Sequence, residues 1–221
     1  MNTVGIVDYG MGNLYSVAKA VEYLGAKAVV SSKANELASC DRLIFPGVGA
    51  FGDCMQALAE RELDEFLRMA AQHRPFLGIC LGMQALMETS EEHGQHGGLA
   101  ILPGRVLPFP EEVLQDSGGR LRKVPHMGWN QLHQLAAHPL FAGIPQDAHF
   151  YFVHSYYVEP AHPDLLVACT DYGFPFCAAL AHENLFALQC HPEKSGTAGL
   201  RLLGNFLQWN GDCGGSSCGI D

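Results

Sequence analysis

The sequence predicts an α/β fold: an open, mostly parallel central sheet with helices on both faces, plus a smaller antiparallel sheet portion. Three observations carry that prediction. Apolar runs of strand length alternate with amphipathic stretches of helical period through the first ninety residues. The second half breaks instead into short apolar runs separated by Gly, Pro and Asn turns. No Pro-, Gly- or Ser-rich linker divides the chain before residue 211, and no internal repeat is present.

In order, Val4 to Asp8 reads as the first strand, ending in turn residues. Leu14, Val17, Ala18, Val21 and Leu24 recur at helical spacing, and Gly25 closes that helix. Lys27 to Val30 and Arg42 to Phe45 are strands, and Pro46-Gly47-Val48-Gly49 behind the second reads as a loop. Asp53 can cap a helix reaching about Ala70, with Met55, Leu58, Leu63, Phe66 and Leu67 along one side. Pro75 to Ile79 is a buried strand, followed by a helix from Cys80 to about Met87.

Further strands are expected at Ala100 to Phe109, Leu121 to Val124, His149 to Val158, Leu166 to Thr170, Phe176 to Ala181 and Leu185 to Gln189. A last helix, about Thr197 to Trp209, sets Leu200, Leu203 and Leu207 in register. Residues 1–210 are thus expected as one domain and 211–221 as a flexible Gly/Ser tail.

Composition narrows the function. Thirteen Lys and Arg against 23 Asp and Glu leave a formal charge of −10, a poor footprint for nucleic acid or an anionic membrane. The 48% apolar content supplies a sizeable core, and no apolar run is long enough to span a bilayer. The N-terminus lacks the basic start and apolar stretch of a signal peptide, so a cytoplasmic enzyme is expected. Eight scattered cysteines without a Cys-x-x-Cys pair read as reduced thiols, and no metal site is expected.

Three motifs carry chemistry. Gly78-Ile79-Cys80-Leu81-Gly82 follows an apolar strand and opens a helix, the Gly-x-nucleophile-x-Gly turn with sulfur as nucleophile. A sharp strand-to-helix turn presents Cys80 where backbone N–H groups favour thiolate, and the N–H of Leu81 is available to an oxyanion. His191-Pro192-Glu193 offers a base and its orienting carboxylate, since side chains two apart in an extended segment share a face. The Gly47-Val48-Gly49 loop belongs at the carboxyl edge of a parallel sheet, where the nucleophile turn must also lie, and can aim a second amide at the oxyanion. No Lys-Ser/Thr follows those glycines, which argues against a nucleotide loop. A cysteine peptidase or a non-catalytic module on the same fold are the competing readings.

Taken together, Gly-Ile-Cys-Leu-Gly-Met-Gln at 78–84 and His191-Pro192-Glu193 resemble the class I (triad) glutamine amidotransferases over nearly the whole chain. The stretches 8–14, 124–130, 151–156 and 191–195 resemble the glutaminase subunits that serve imidazole glycerol phosphate synthase in histidine biosynthesis, rather than those feeding aminobenzoate, pyridoxal phosphate or purine pathways. The resemblance implies a Cys80–His191–Glu193 triad acting on L-glutamine without a cofactor. It further implies Gln84 and Glu92 at the substrate's α-amino and carboxylate ends, with backbone near Ser155 and Tyr156 helping. Glu91, beside Glu92, is an alternative. The implied partner is a (β/α)8-barrel cyclase subunit that uses the ammonia. Ammonia is mostly protonated at neutral pH, so it must pass directly to its acceptor across a docking face. Asn13, Met127, Trp129, Tyr151 and Lys194 are the candidates for that face.

Overall fold

The computed structural model describes residues 2–114 and 122–212. In chain order these form β1 (Thr3–Val7), α1 (Leu14–Tyr23), β2 (Lys27–Ser31), α2 (Ala34–Ala38), β3 (Arg42–Gly47), α3 (Phe51–Glu60), α4 (Asp64–His73), β4 (Phe76–Cys80) and α5 (Leu81–Gln84). There follow β5 (Thr89–Ser90), β6 (His96–Gly97), β7 (Gly104–Pro108), β8 (His126–Gln134), β9 (Ala148–His154), β10 (Tyr156–Pro160), β11 (Leu166–Asp171), β12 (Pro175–His182), β13 (Leu185–Leu188) and α6 (Gly196–Gln208).

Five strands, in the order β2-β1-β3-β4-β13, pair in parallel. From β13 the sheet continues antiparallel through β12, which joins β10 and β7 on one side and β11, β8 and β9 on the other. Strand alternation divides the core between two faces. Ile44, Leu77 and Ile79 pack with Val17 and Val21 of α1 and Leu202, Leu203 and Phe206 of α6. Leu43, Phe45 and Phe76 pack with Leu37 of α2 and with Phe51, Leu58, Phe66 and Leu67 of α3 and α4. Helices therefore cover both faces, as the alternating pattern requires. No helix of the described residues is long and apolar enough to cross a membrane.

Local chemistry moves several boundaries. The helix expected from Asp53 to Ala70 is two, broken where Glu62 takes φ 55°. Leu58 and Leu63 are both fully buried. On one continuous helix they would point about 140° apart, so the break lets Leu63 reach the core. Asp53 caps nothing: Ala50 holds the N-cap position, and the Phe51 N–H donates to Glu92 Oε2 at 2.7 Å. Pro46 and Gly47 extend β3 rather than looping. The β1 pairing ends at Ile44, so the N–H that Pro46 lacks has no ladder to serve. The run from His149 to Val158 splits at Ser155, β9 pairing with β8 and β10 with β7. Leu121 lies outside the described residues, as do Cys213, Cys218 and the rest of the tail beyond Asp212; residues 122–125 are not strand, and the strand there begins at His126.

Candidate active site

Cys80 ends β4 and starts α5 with φ 55° and ψ −110°, a conformation non-glycine residues adopt only under constraint. The constraint is visible at Gly82, where a Cβ would stand 1.8 Å from the carbonyl oxygen of Phe45 on the next strand. Only a glycine lets α5 turn that tightly onto the sheet. Because α5 is a single turn, nearby N–H groups rather than a long helix dipole favour a negative sulfur. Two polar contacts hold the sulfur: Sγ lies 3.8 Å from the Val153 carbonyl oxygen, to which the thiol donates, and Gln189 Nε2 donates to Sγ at 3.6 Å.

β13 runs parallel to β4 and delivers His191 to the same edge. The His191 N–H donates to the Tyr151 carbonyl at 2.8 Å, and Ser195 Oγ bonds both Tyr151 N and the His191 carbonyl. Pro192–Lys194 then form a 3-10 turn, not an extended step. That turn still brings Glu193 Oε1 to 2.8 Å from His191 Nδ1, with the two side chains 1–2% exposed. Burial pulls the His191 pKa down, but the Cys80 sulfur and the Glu193 carboxylate outweigh it and push it up to about 10. His191 Nε2 is buried without a hydrogen bond of regular geometry, yet its hydrogen-bonding and charge interaction with the nearby Cys80 sulfur does most to raise its pKa, ahead of Glu193.

A cavity of about 400 Å³ opens over Cys80. Val48, Gly49, Leu81, Gln84, Glu92, Ser155, Tyr156 and Lys194 are among the residues that line it. Glu91 does not line it. Gly47 does not line it either, a correction to the loop reading. A Cβ there would meet Tyr9 Oη at 2.2 Å, so Gly47 is glycine for packing under the site. Both amide hydrogens of Gln84 are used, on the Tyr156 carbonyl at 3.0 Å and Gln189 Oε1 at 3.1 Å. Its carbonyl oxygen alone remains for a ligand, so Gln84 can accept from an N–H but cannot donate to a carboxylate. Glu92 keeps one oxygen free after capping α3.

Beside the cavity, Trp129 is 57% and Met127 62% exposed on β8. Trp129 is the register partner of Tyr151, whose ring carries Lys194 Nζ at 5.8 Å from its centroid. These four form one patch. Asn13 holds the N-cap position of α1, which packs against the Pro192–Lys194 turn. Sequence reasoning missed Gln189, His126 and His154 as site residues. The available signal for Gln189 was a polar side chain at the end of the fully apolar run 185–188.

Comparison with known proteins agrees with this geometry. The glutamine amidotransferase class-I family matches residues 5–209. The chain is 54% identical over 212 residues to imidazole glycerol phosphate synthase subunit HisH of Methylococcus capsulatus, covering 95% of this chain and 97% of that protein. It is 52% identical over 219 residues to the HisH subunit of Thiobacillus denitrificans, covering 98% and 96%. Among solved structures, PurLQS from Thermotoga maritima shares the fold with a TM-score of 0.71 at 20% identity, covering 94% of this chain and 98% of that one. The chain belongs to the class-I glutamine amidotransferases and, within them, to the HisH subunits of imidazole glycerol phosphate synthase.

Proposed function

We propose that this chain hydrolyses L-glutamine to glutamate and ammonia through a thioester on Cys80. The ammonia passes to a (β/α)8-barrel cyclase subunit that forms imidazole glycerol phosphate and the aminoimidazole carboxamide ribotide by-product. The observation that carries the reading is the strained Cys80, which lines one cavity and interacts with the buried His191–Glu193 pair behind it. The Cys80 thiolate attacks the carboxamide carbon, and the negative charge moves to the carboxamide oxygen. The Leu81 amide and one from Val48 or Gly49, residues that line the cavity, receive that charge in this reading. Protonated His191 gives its Nε2 proton to the amide nitrogen, the C–N bond breaks and ammonia leaves. Neutral His191, oriented by Glu193, then takes a proton from water as its oxygen attacks the thioester. Glutamate leaves, and the thiolate and imidazolium are restored. Gln84, as an acceptor, suits the substrate's α-ammonium. Glu92 offers a second acceptor, which leaves the substrate carboxylate to backbone N–H groups around Ser155 and Tyr156. The six described cysteines are all unpaired, which fits work in the reducing cytoplasm.

Cys80→Ala tests this reading. It should abolish glutamine-driven synthesis while the complex still forms and still runs on ammonium salt. Glutamine-driven turnover in that variant would overturn the assignment of Cys80, and failure to turn over with any cyclase partner would overturn the pathway.

A further inference from the structure

A chain of buried side chains runs from strand β8 to the sulfur, and its donors and acceptors are fixed by one backbone oxygen that accepts from both arms. The Tyr156 carbonyl can only accept. It accepts from Gln84 Nε2 at 3.0 Å and bonds His154 Nδ1 at 2.8 Å, so His154 carries its proton on Nδ1. His154 Nε2 is then an acceptor, and its partner at 2.9 Å, His126 Nδ1, must be the donor. His126 Nε2 is in turn an acceptor, facing Asn130 Nδ2 at 3.2 Å. The Asn130 amide is oriented independently: its Nδ2 donates to the Asp171 carbonyl, and its Oδ1 accepts from the Gln131 N–H. Both ends therefore demand the same tautomers. On the other side of Tyr156, Gln84 Nε2 also donates to Gln189 Oε1, which turns Gln189 Nε2 toward Cys80 Sγ.

From this geometry we propose that Gln189 is a positioning residue for the Cys80 sulfur, and that Gln84, the Tyr156 carbonyl, His154 and His126 hold it there as one hydrogen-bonded relay, in which the Tyr156 carbonyl accepts from both sides. Gln189 is fully buried, so its amide is not a solvent-facing group that meets the sulfur by chance. An N–H aimed at sulfur stabilises thiolate more than thiol, because a hydrogen bond to a charged acceptor is the stronger one. Either histidine, if protonated, would set N–H against N–H and break the relay. Burial, which pulls His126 to about 4 and His154 to about 3, keeps both neutral at working pH. The titratable groups around the sulfur are His191 with Glu193 behind it, Tyr9 and Cys190 in the protein beside it, and His154, Glu92 and Lys194 in the cavity lining. Gln189 adds no charge to that set, so its replacement by an isosteric residue isolates the hydrogen bond. The proposal deepens the glutaminase reading and rests on it for its functional meaning.

The test is alkylation of Cys80 by iodoacetamide against pH in the full chain, read at that cysteine by peptide mass, with circular dichroism to establish folding. Gln189→Met keeps the volume and removes the donor. Its half-maximal pH should rise by about one unit, about tenfold slower labelling at neutral pH, and kcat should fall with KM little changed. Gln189→Glu should move the profile further, through repulsion. His126→Leu should shift it in the same direction, and His126→Asn, which restores a donor near the Nδ1 position, should bring it back. A folded Gln189→Met chain with the wild-type profile overturns the proposal, as does an equal profile for His126→Leu and His126→Asn. If Gln189→Met does not fold, the His126 pair decides. Wild-type hydrolysis of glutamine beside an unshifted Gln189→Met profile defeats the relay alone, whereas the expected shifts in a chain that never hydrolyses glutamine support the relay and defeat the glutaminase reading.

Discussion

Gly47 and Cys80 are register partners across the parallel pair of β3 and β4. The last residue before the Val48-Gly49 loop thus sits directly beside Cys80, and the loop has nowhere to go but over the sulfur. Packing secures the arrangement from below. Tyr9, fully buried, places its hydroxyl under Gly47, and Leu81 closes from the α5 side.

Gly47→Ala should therefore destabilise the fold, by about 1–3 kcal/mol in denaturant unfolding, as overpacking of a tight core does. The new Cβ would stand 2.2 Å from Tyr9 Oη and 2.9 Å from Leu81 Cβ. Tyr9 Oη is buried with no hydrogen bond of regular geometry, its nearest polar neighbour being the weakly bonding Cys54 thiol, so Tyr9→Phe alone should be close to neutral. The double variant should recover part of the Gly47→Ala loss, because it removes the closer of the two clashes. Strictly additive effects would show that Tyr9 does not brace this strand.

The parallel centre was legible because each strand and helix there carries its own periodicity. Leu43, Phe45 and Ile44 alternate as they face opposite cores, and Val17 and Val21 mark the inner side of α1. That Cys80, His191 and Glu193 lie together was legible because the proposed chemistry needs those residue types beside glycines and a proline. What lay hidden depends on contacts distant in sequence. Glu92 caps α3 from 41 positions away, so Asp53 looked like the cap. Strand β8 carries polar residues at most positions, since its outer side bears Met127 and Trp129 and its inner side the relay of His126 and Asn130; no apolar alternation announces it. Gln84 looked like a plain substrate ligand because nothing in the sequence shows that Gln189 and Tyr156 already occupy its N–H groups.

Glu193→Gln should cut kcat by about 10²–10⁴, since an amide can present N–H to His191 Nδ1 and impose the wrong tautomer. It should also change the pH dependence of stability. The folded pKa of His191 stands at about 10 against an ordinary value of 6.5. Stability from its protonation is complete below 6.5 and is lost as pH rises through 10. Removing the carboxylate lowers the folded value and flattens the loss of melting temperature between pH 7 and 10. A variant with the wild-type slope over that range would show that Glu193 does not charge the imidazole.

At acid pH the opposite linkage operates. His126 and His138 are pulled to about 4 and His154 to about 3, in each case first by burial. The unfolded chain takes up these protons near 6.5, so their contribution is present above that value and lost as pH falls through about 4. Unfolding free energy should drop steeply between pH 6.5 and 4. Replacing His138, which packs against Phe186 and Trp209, with Phe should lessen the slope by up to one proton. A wild-type slope in the folded His138→Phe chain would mean that His138 titrates normally in the fold.

The docking prediction turns on where exposed aromatics stand relative to the catalytic edge. Trp129 is 57% exposed, backed edge-on by Tyr151, and Lys194 lies over Tyr151 next to the cavity mouth. Tyr23 is more exposed, at 78%, but ends α1 and so lies at the opposite edge of the sheet. If exposure alone made a docking anchor, Tyr23 would be the better one. Ammonia must leave by a short covered path, so the partner has to seat around the cavity mouth, and an aromatic anchor central to that face carries a disproportionate share of the binding. Trp129→Ala should weaken association with the cyclase subunit by about 2 kcal/mol or more, roughly 30-fold in Kd, with the chain's own melting temperature unchanged. Tyr23→Ala should leave Kd unchanged. Titration calorimetry of the two variants against the same cyclase separates the cases, and a larger loss for Tyr23→Ala would move the docking face to the other end of the sheet.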